Sequence, residues 1–223
     1  MNSCQNKIKV VFENINRYYG KTKILDNINL HISEGELVAI VGPSGCGKST
    51  IFNIIAGLVE PSSGSYRIEG KLSYMYQKDL LLPYKTILDN VALPMIIEGQ
   101  SKSLARESVK PSFELEGYEN MYPHELSGGM RQRANFMRTY FSSNDIMLLD
   151  EPFGALDSIT KASIQDWFRK VRRKMNSTIF LITHDIDEAI NLADRVYVLS
   201  NKPAHIKEEI SLYPSHVDKT QIG

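Results

Sequence analysis

The run GPSGCGKST, Gly42 to Thr50, constrains the fold of this chain more than any other stretch. It fits the pattern G-x-x-x-x-G-K-[ST], and it lies between an apolar run, ELVAIV (36–41), and a helix-forming run that begins near Lys48. An ordinary glycine-rich turn needs neither that spacing nor that context. Glycines let the backbone curl until successive N–H groups converge on phosphate oxygens, and a helix start adds the positive end of its dipole. Gly42, Pro43, Ser44, Gly45, Cys46, Gly47, Lys48, Ser49 and Thr50 therefore read as a cradle for nucleotide phosphates. Lys48 would set a point charge at the β- and γ-phosphates, and Ser49 would offer a hydroxyl to Mg²⁺.

The rest of the chain supplies the sheet such a loop requires. Apolar strands are expected at 36–41, LSYMYQ (72–77), DIMLLD (145–150), TIFLIT (178–183) and RVYVLS (195–200), with helices near 48–57, 159–174 and 186–193. Strands alternating with helices predict an α/β fold with a mostly parallel sheet. IKVVFENINRYYGKTKILDNINLHI instead alternates apolar and polar residues, which predicts antiparallel strands wet on one face. Between Gln77 and Asp145 the strands stop, and TILDNVALPMIIEG and KSLARESVK read as helices. The expected organisation is one domain over 1–223. Segments 1–77 and 145–223 build the antiparallel β subdomain and the phosphate-binding core, and 78–144 forms an inserted α-helical subdomain. At helical spacing, Met130, Ala134, Met137 and Phe141 make one apolar packing face.

Two carboxylates, Asp150 and Glu151, emerge where DIMLLDEP leaves its strand, and ligands of open α/β sheets bind at such C-terminal ends. Asp150 suits a Mg²⁺ ion. Glu151 can orient or deprotonate an attacking water. His184, after TIFLIT, lies on the same edge and is placed to touch a γ-phosphate. Gln77 is expected to end its own strand where the helical insertion begins, so its amide could meet Mg²⁺ or the water. Lys plus Arg and Asp plus Glu both number 26, so no net field draws in nucleic acid. The cluster RKVRRK (169–174) falls where a helix should end, which favours solvated cations at the negative dipole end. Cys4 and Cys46 lack metal-ligand spacing and are given no metal role. No apolar run approaches the ~18 residues that span a bilayer. The N-terminus has no signal-peptide core, so the chain is expected to stay where it is made.

A second candidate cradle follows in HELSGGMRQR (124–133), two glycines behind a serine at a helix start. The whole set then resembles the ATP-binding subunits of ABC transporters. GPSGCGKST is similar to the Walker A motif, Gln77 to the Q-loop, LSGGM (126–130) to the signature and IMLLDE to Walker B. GALD (154–157) resembles the D-loop and His184 the switch histidine, in the family's order along nearly the whole chain. The resemblance implies a P-loop NTPase that binds ATP with Mg²⁺. It also implies a head-to-tail dimer with a second ATPase subunit, identical to this one or a different cassette. Ser127, Gly128 and Gly129 would close over ATP held by the partner's Walker A loop, and Asp157 would cross the same interface. Tyr19 matches the aromatic that stacks on adenine, with Tyr18 adjacent as its rival.

The family implies that the subunit works on the cytoplasmic face of the membrane. There it drives permease subunits and, through them, serves a solute-binding protein. EPFGALD with PHELSGGM resembles the branch that imports nitrate, sulfonates, taurine or thiamine-precursor pyrimidines. A cassette that drives a membrane complex without transport is the rival. A chromosome-structure ATPase is excluded, because forty-eight residues between Gln77 and Leu126 cannot hold its coiled-coil arm. Met130 stands where the family commonly has glutamine, a change expected to matter little to ATP.

Overall fold

The structure, a computed structural model, describes residues 7–110 and 116–212. Cys4 lies outside them. The chain divides into two compact units, one formed by 1–70 and 178–223, the other by 71–177.

In the first unit, β1 (Ile8–Tyr19), β2 (Thr22–Ser33) and β4 (Ser63–Ile68) form an antiparallel sheet in the order β2-β1-β4. The alternating stretch read from the sequence is β1 and β2. The pairing slips between Phe12 and Ile15, beside Asn14 at φ 54, and Asn27 on β2 has φ 52. Asparagine tolerates this left-handed backbone better than most residues, so it can host such an irregularity. Strand β4 was not expected: SGSYRI is mostly exposed and pairs with β1 alone, so no apolar alternation marks it.

The parallel part of this unit runs β7 (Thr178–Thr183), β3 (Leu37–Val41), β8 (Arg195–Leu199), with β9 (Ile206–Ser211) antiparallel at its edge. Leu37 to Ile40 and Ile179 to Leu181 are fully buried. Continuous apolar runs are what a strand covered on both faces requires. Helix α1 (Lys48–Ile55) follows β3, and Phe52 meets Phe180 at 5.0 Å. Helix α6 (Ile186–Leu192) follows β7. Below the loops, the buried guanidinium of Arg195 binds both oxygens of Glu36 at 2.8 Å and Glu209 at 2.7 Å. That network ties the three segments together.

In the second unit, β5 (Leu72–Met75) pairs in parallel with β6 (Ile146–Asp150). Four helices follow the sequence reading closely: α2 (Ile87–Ile97), α3 (Lys102–Val109), α4 (Gly128–Ser142) and α5 (Ser158–Lys174). Asp89 on α2 pairs with Arg106 at 2.7 Å and Lys102 at 3.1 Å on α3. The buried Asn90 amide donates to the carbonyls of Leu82, Lys85 and Thr86, pinning the segment that leads from Gln77 into α2. On α4, Ala134 and Met137 are buried, whereas Met130 and Phe141 are half-buried and Phe136 joins the core. Phe136 packs edge-on against Trp167 and Phe168 of α5, which widens the face beyond the four expected residues. The cations Arg172, Arg173 and Lys174 occupy the last turn of α5, where the dipole favours them.

Candidate functional site

The loop from Gly42 to Gly47 lies in the first unit and is built by turning out of β3. Gly45 (φ +70) and Gly47 (φ +133) adopt backbone that L side chains rarely take. A Cβ on Gly47 would also stand 2.9 Å from Leu25 Cδ2. Lys48 is 6% exposed, and its Nζ donates to the carbonyls of Gly42 (2.7 Å) and Pro43 (3.0 Å), which fixes the ammonium over the loop. Gly47 at the helix start makes no side-chain cap, and the first turn of α1 holds no acidic residue. By contrast, α2, α3, α4, α5 and α6 are each capped by a side-chain oxygen, from Thr86, Ser101, Ser127, Asp157 and Asp185. Among these six helices α1 alone keeps its initial N–H groups clear of a capping side chain, the arrangement an incoming anion needs.

His184 is brought to this loop by register. Val41 and Thr183 are partners at the ends of β3 and β7, so Gly42 and His184 leave adjacent strands side by side. A cavity of about 410 Å³ is lined by Gly42, Pro43, Ser44 and His184, with Val41, Ile186, Val198 and Leu199 as its apolar wall. Ser49 is exposed at the start of α1, Thr50 is half-buried, and Cys46 is buried. Tyr18 and Tyr19 are both exposed at the end of β1. The Arg17 guanidinium lies 4.5 Å from the Tyr19 ring centre, and Lys23 Nζ lies 5.5 Å from that of Tyr18.

The second unit holds the carboxylates. Tyr74 on β5 directs its hydroxyl at Asp150 Oδ2 (3.3 Å), and burial together with that carboxylate drives the phenol well above its ordinary range. Gln77 Nε2 donates to Glu151 Oε2 at 3.1 Å. Glu151 has φ 46, a left-handed backbone for a residue with a Cβ, directly after the strand end. The sequence reading ended β5 at Gln77, but the strand stops at Met75. Pairing with β6 runs only from Leu72 to Met75, and Gln77 stands two residues beyond it, exposed, where a loop can turn its amide toward Glu151.

The second cradle is the start of α4. Ser127 is exposed, and its Oγ accepts from Met130 N at 3.3 Å. A hydroxyl that accepts this bond still has its own proton to donate. Gly128 and Gly129 have no left-handed backbone; a Cβ on Gly129 would instead stand 2.8 Å from Thr160 Cγ2 on α5. Asp157 caps α5, accepting from Thr160 N at 3.0 Å, and the Thr160 hydroxyl and backbone hold its carboxyl below the usual carboxylate range. Sequence reasoning missed Tyr74 and Thr160. Neither belongs to a motif, and each is found only once strand register or helix packing is known.

Comparisons with known proteins bear on most of the chain. A family model described as ABC transporter matches residues 25–154. The chain is 42% identical over 211 residues to the formylaminopyrimidine import ATP-binding protein ThiZ of Halalkalibacterium halodurans, covering 92% of this chain and 85% of the relative. It is 43% identical over 189 residues to the aliphatic sulfonates import ATP-binding protein SsuB 1 of Shouchella clausii, covering 84% and 75%. Among solved structures it is similar to the dimeric bacterial ABC transporter cassette MJ0796, with TM-score 0.78, 31% identity, and coverage of 92% and 99%. A post-hydrolysis dimer of that cassette bound to ADP and Pi gives TM-score 0.77 at 30% identity, with the same coverage.

Proposed function

This chain belongs to the ABC transporter family of ATP-binding cassettes and hydrolyses ATP, and from that premise we propose that it powers a membrane importer of a small solute as one half of a head-to-tail dimer. One observation carries the reading. A single chain holds two helix starts suited to anions, one uncapped beneath Lys48 and one whose exposed Ser127 keeps a proton to donate. In the proposed dimer, the loop from Gly42 to Thr50 holds ATP of its own subunit, and Tyr19 stacks on the adenine. Ser127, Gly128 and Gly129 close over the partner's γ-phosphate, and Asp157 crosses the interface.

Glu151 is the proposed base that orients the attacking water, with Gln77 steadying it and His184 touching the γ-phosphate. Ser49, Gln77 and Asp150 are the proposed Mg²⁺ ligands. The donor set fits the ion, since all three offer oxygen. The Gln77 amide nitrogen is committed to Glu151, which leaves its carbonyl oxygen to face a cation. When bound, Mg²⁺ supplies charge neutralisation at the phosphates.

Binding one ATP to two subunits favours the closed dimer, and losing the γ-phosphate link opens it. We assign this motion to a permease contacted by the helical segment 78–144, on the cytoplasmic face of the membrane. No helix among the described residues is long and apolar enough to cross a membrane. The names of ThiZ and SsuB 1 support import, and with EPFGALD they favour a pyrimidine, sulfonate, taurine or nitrate cargo delivered by a solute-binding protein.

Glu151→Gln should trap the dimer. Gel filtration with Mg-ATP is expected to show a species of twice the monomer mass, and a monomer alone at saturating ATP would overturn the scheme. Vesicles carrying the cognate permease and solute-binding protein should accumulate one of these cargoes in an ATP-dependent way. Brisk hydrolysis without uptake of any of them would favour a cassette that drives a non-transporting complex.

A further inference from the structure

The signature start and the segment around Asp157 are separate stretches of sequence, yet one side chain touches both. Thr160 sits in the first turn of α5. Its methyl, Cγ2, occupies the space a Cβ on Gly129 would need, at 2.8 Å, with Ile164 Cδ1 at 3.3 Å behind it. Leu156 Cδ2 lies 3.4 Å from the corresponding point on Gly128. On its other side, Thr160 donates its backbone N–H to Asp157 Oδ1 at 3.0 Å, and its hydroxyl bonds the same carboxylate.

The surroundings are stiff. Phe136 of α4 is wedged against Trp167 and Phe168 at 5.5 and 5.1 Å, and Phe153, from the segment between Glu151 and Asp157, meets Phe168 at 5.8 Å. The Arg133 guanidinium lies 5.4 Å from the Trp167 ring centre. Packed side chains of this kind transmit a displacement rather than absorb it.

We propose that Thr160 is a positioning residue that sets the signature and Asp157 as one piece: its methyl gauges how closely Gly129 approaches α5, and its hydroxyl holds Asp157 in line. The inference rests on the head-to-tail reading, because only there do both segments meet the partner subunit. It gives the second signature glycine a duty apart from phosphate binding. Gly129 is buried in helical backbone, and its missing Cβ makes room for Thr160. Thr160 touches no reacting atom and acts through its two neighbours.

The test is a double-mutant cycle in the Glu151→Gln background, reading the ATP-dependent monomer–dimer equilibrium by light scattering. Calorimetry of ATP binding to the monomer and a melting curve verify that each variant is folded. Gly129→Ala is expected to weaken dimerisation roughly tenfold, because the added methyl overfills a packed contact. Thr160→Ser removes the opposing methyl and keeps the hydroxyl; in that background the same Gly129→Ala change should cost less than about threefold, Ile164 giving way slightly. Thr160→Val keeps the shape and removes the hydroxyl, and should weaken the dimer about fivefold with monomer ATP affinity unchanged.

Equal losses from Gly129→Ala with and without Thr160→Ser, in variants that fold and bind ATP, would overturn the steric half. A Thr160→Val dimer as tight as the background would overturn the hydroxyl half. If the Glu151→Gln parent forms no dimer, the proposed function fails first and takes this inference with it.

Discussion

The two glycine-rich cradles look alike in sequence and are built for opposite reasons. In the Walker A loop the glycines serve the backbone: Gly45 and Gly47 lie at φ +70 and +133, and the helix behind them has no capping side chain. In the signature the second glycine serves packing. Gly128 and Gly129 are helical and the helix is capped by Ser127; a side chain on Gly128 would meet Leu156, just before α5, at ordinary contact distance, and one on Gly129 would meet Thr160 on α5 at 2.8 Å. The first is a loop whose glycines take left-handed backbone ahead of an uncapped helix start, a geometry suited to an anion. The second is a regular helix start pressed against a neighbour, with one hydroxyl left facing outward. Glycine in a motif therefore does not name a mechanism until its φ and its neighbours are known.

That contrast predicts that damage to the first cradle lowers nucleotide binding by the monomer, whereas damage to the second spares it. The largest effect is expected from Lys48→Ala, which removes the cation held over the loop. Losing charge-assisted bonds should cut ATP affinity by about 100-fold or more in calorimetry. Undiminished affinity would mean that the loop is not the primary cradle. Ser127→Arg comes next. It should abolish the ATP-dependent dimer on gel filtration while monomer ATP affinity stays within about twofold, since a bulky cation at a desolvated contact costs the interface only. If the monomer loses ATP instead, the signature serves its own chain and the comparison collapses.

Gly47→Ala should destabilise the protein by about 2–3 kcal/mol in denaturant unfolding, with left-handed strain and the Leu25 contact adding. Gly45→Ala has the same backbone problem but open space around it, so about 1 kcal/mol is expected. The smallest effect belongs to Gly128→Ala, within about 0.5 kcal/mol, because alanine suits a helix and Leu156 stands at ordinary contact distance. A Gly128→Ala variant as unstable as Gly47→Ala would erase the distinction drawn between the cradles.

Much of this was legible before any coordinates. The parallel strands β3, β6 and β7 are short continuous apolar runs, and burial on both faces leaves such runs little freedom to be anything else. The antiparallel β1 and β2 announced themselves by alternation, and α2 and α3 lie on the two segments that read as helices where the strands stop. Strand β4 escaped because an exposed edge strand needs no apolar pattern. The sequence extends β5 two residues too far, since Tyr76 and Gln77 continue a strand-like pattern after the pairing with β6 has stopped at Met75.

The sequence alone determined the chemistry on offer: a lysine behind a glycine loop, two carboxylates at a strand end, and a histidine after another strand. Those are local facts of spacing, and spacing is what a chain carries with it when unfolded. The tertiary structure decided which groups meet. His184 joins the Gly42 loop because Val41 and Thr183 are in register, and Tyr74 reaches Asp150 because β5 lies beside β6. Thr160 fills the place of a missing Cβ because α4 packs on α5. Contacts between distant segments depend on register and helix approach, and these are fixed by the burial of whole strand and helix faces, not by the residues that finally touch.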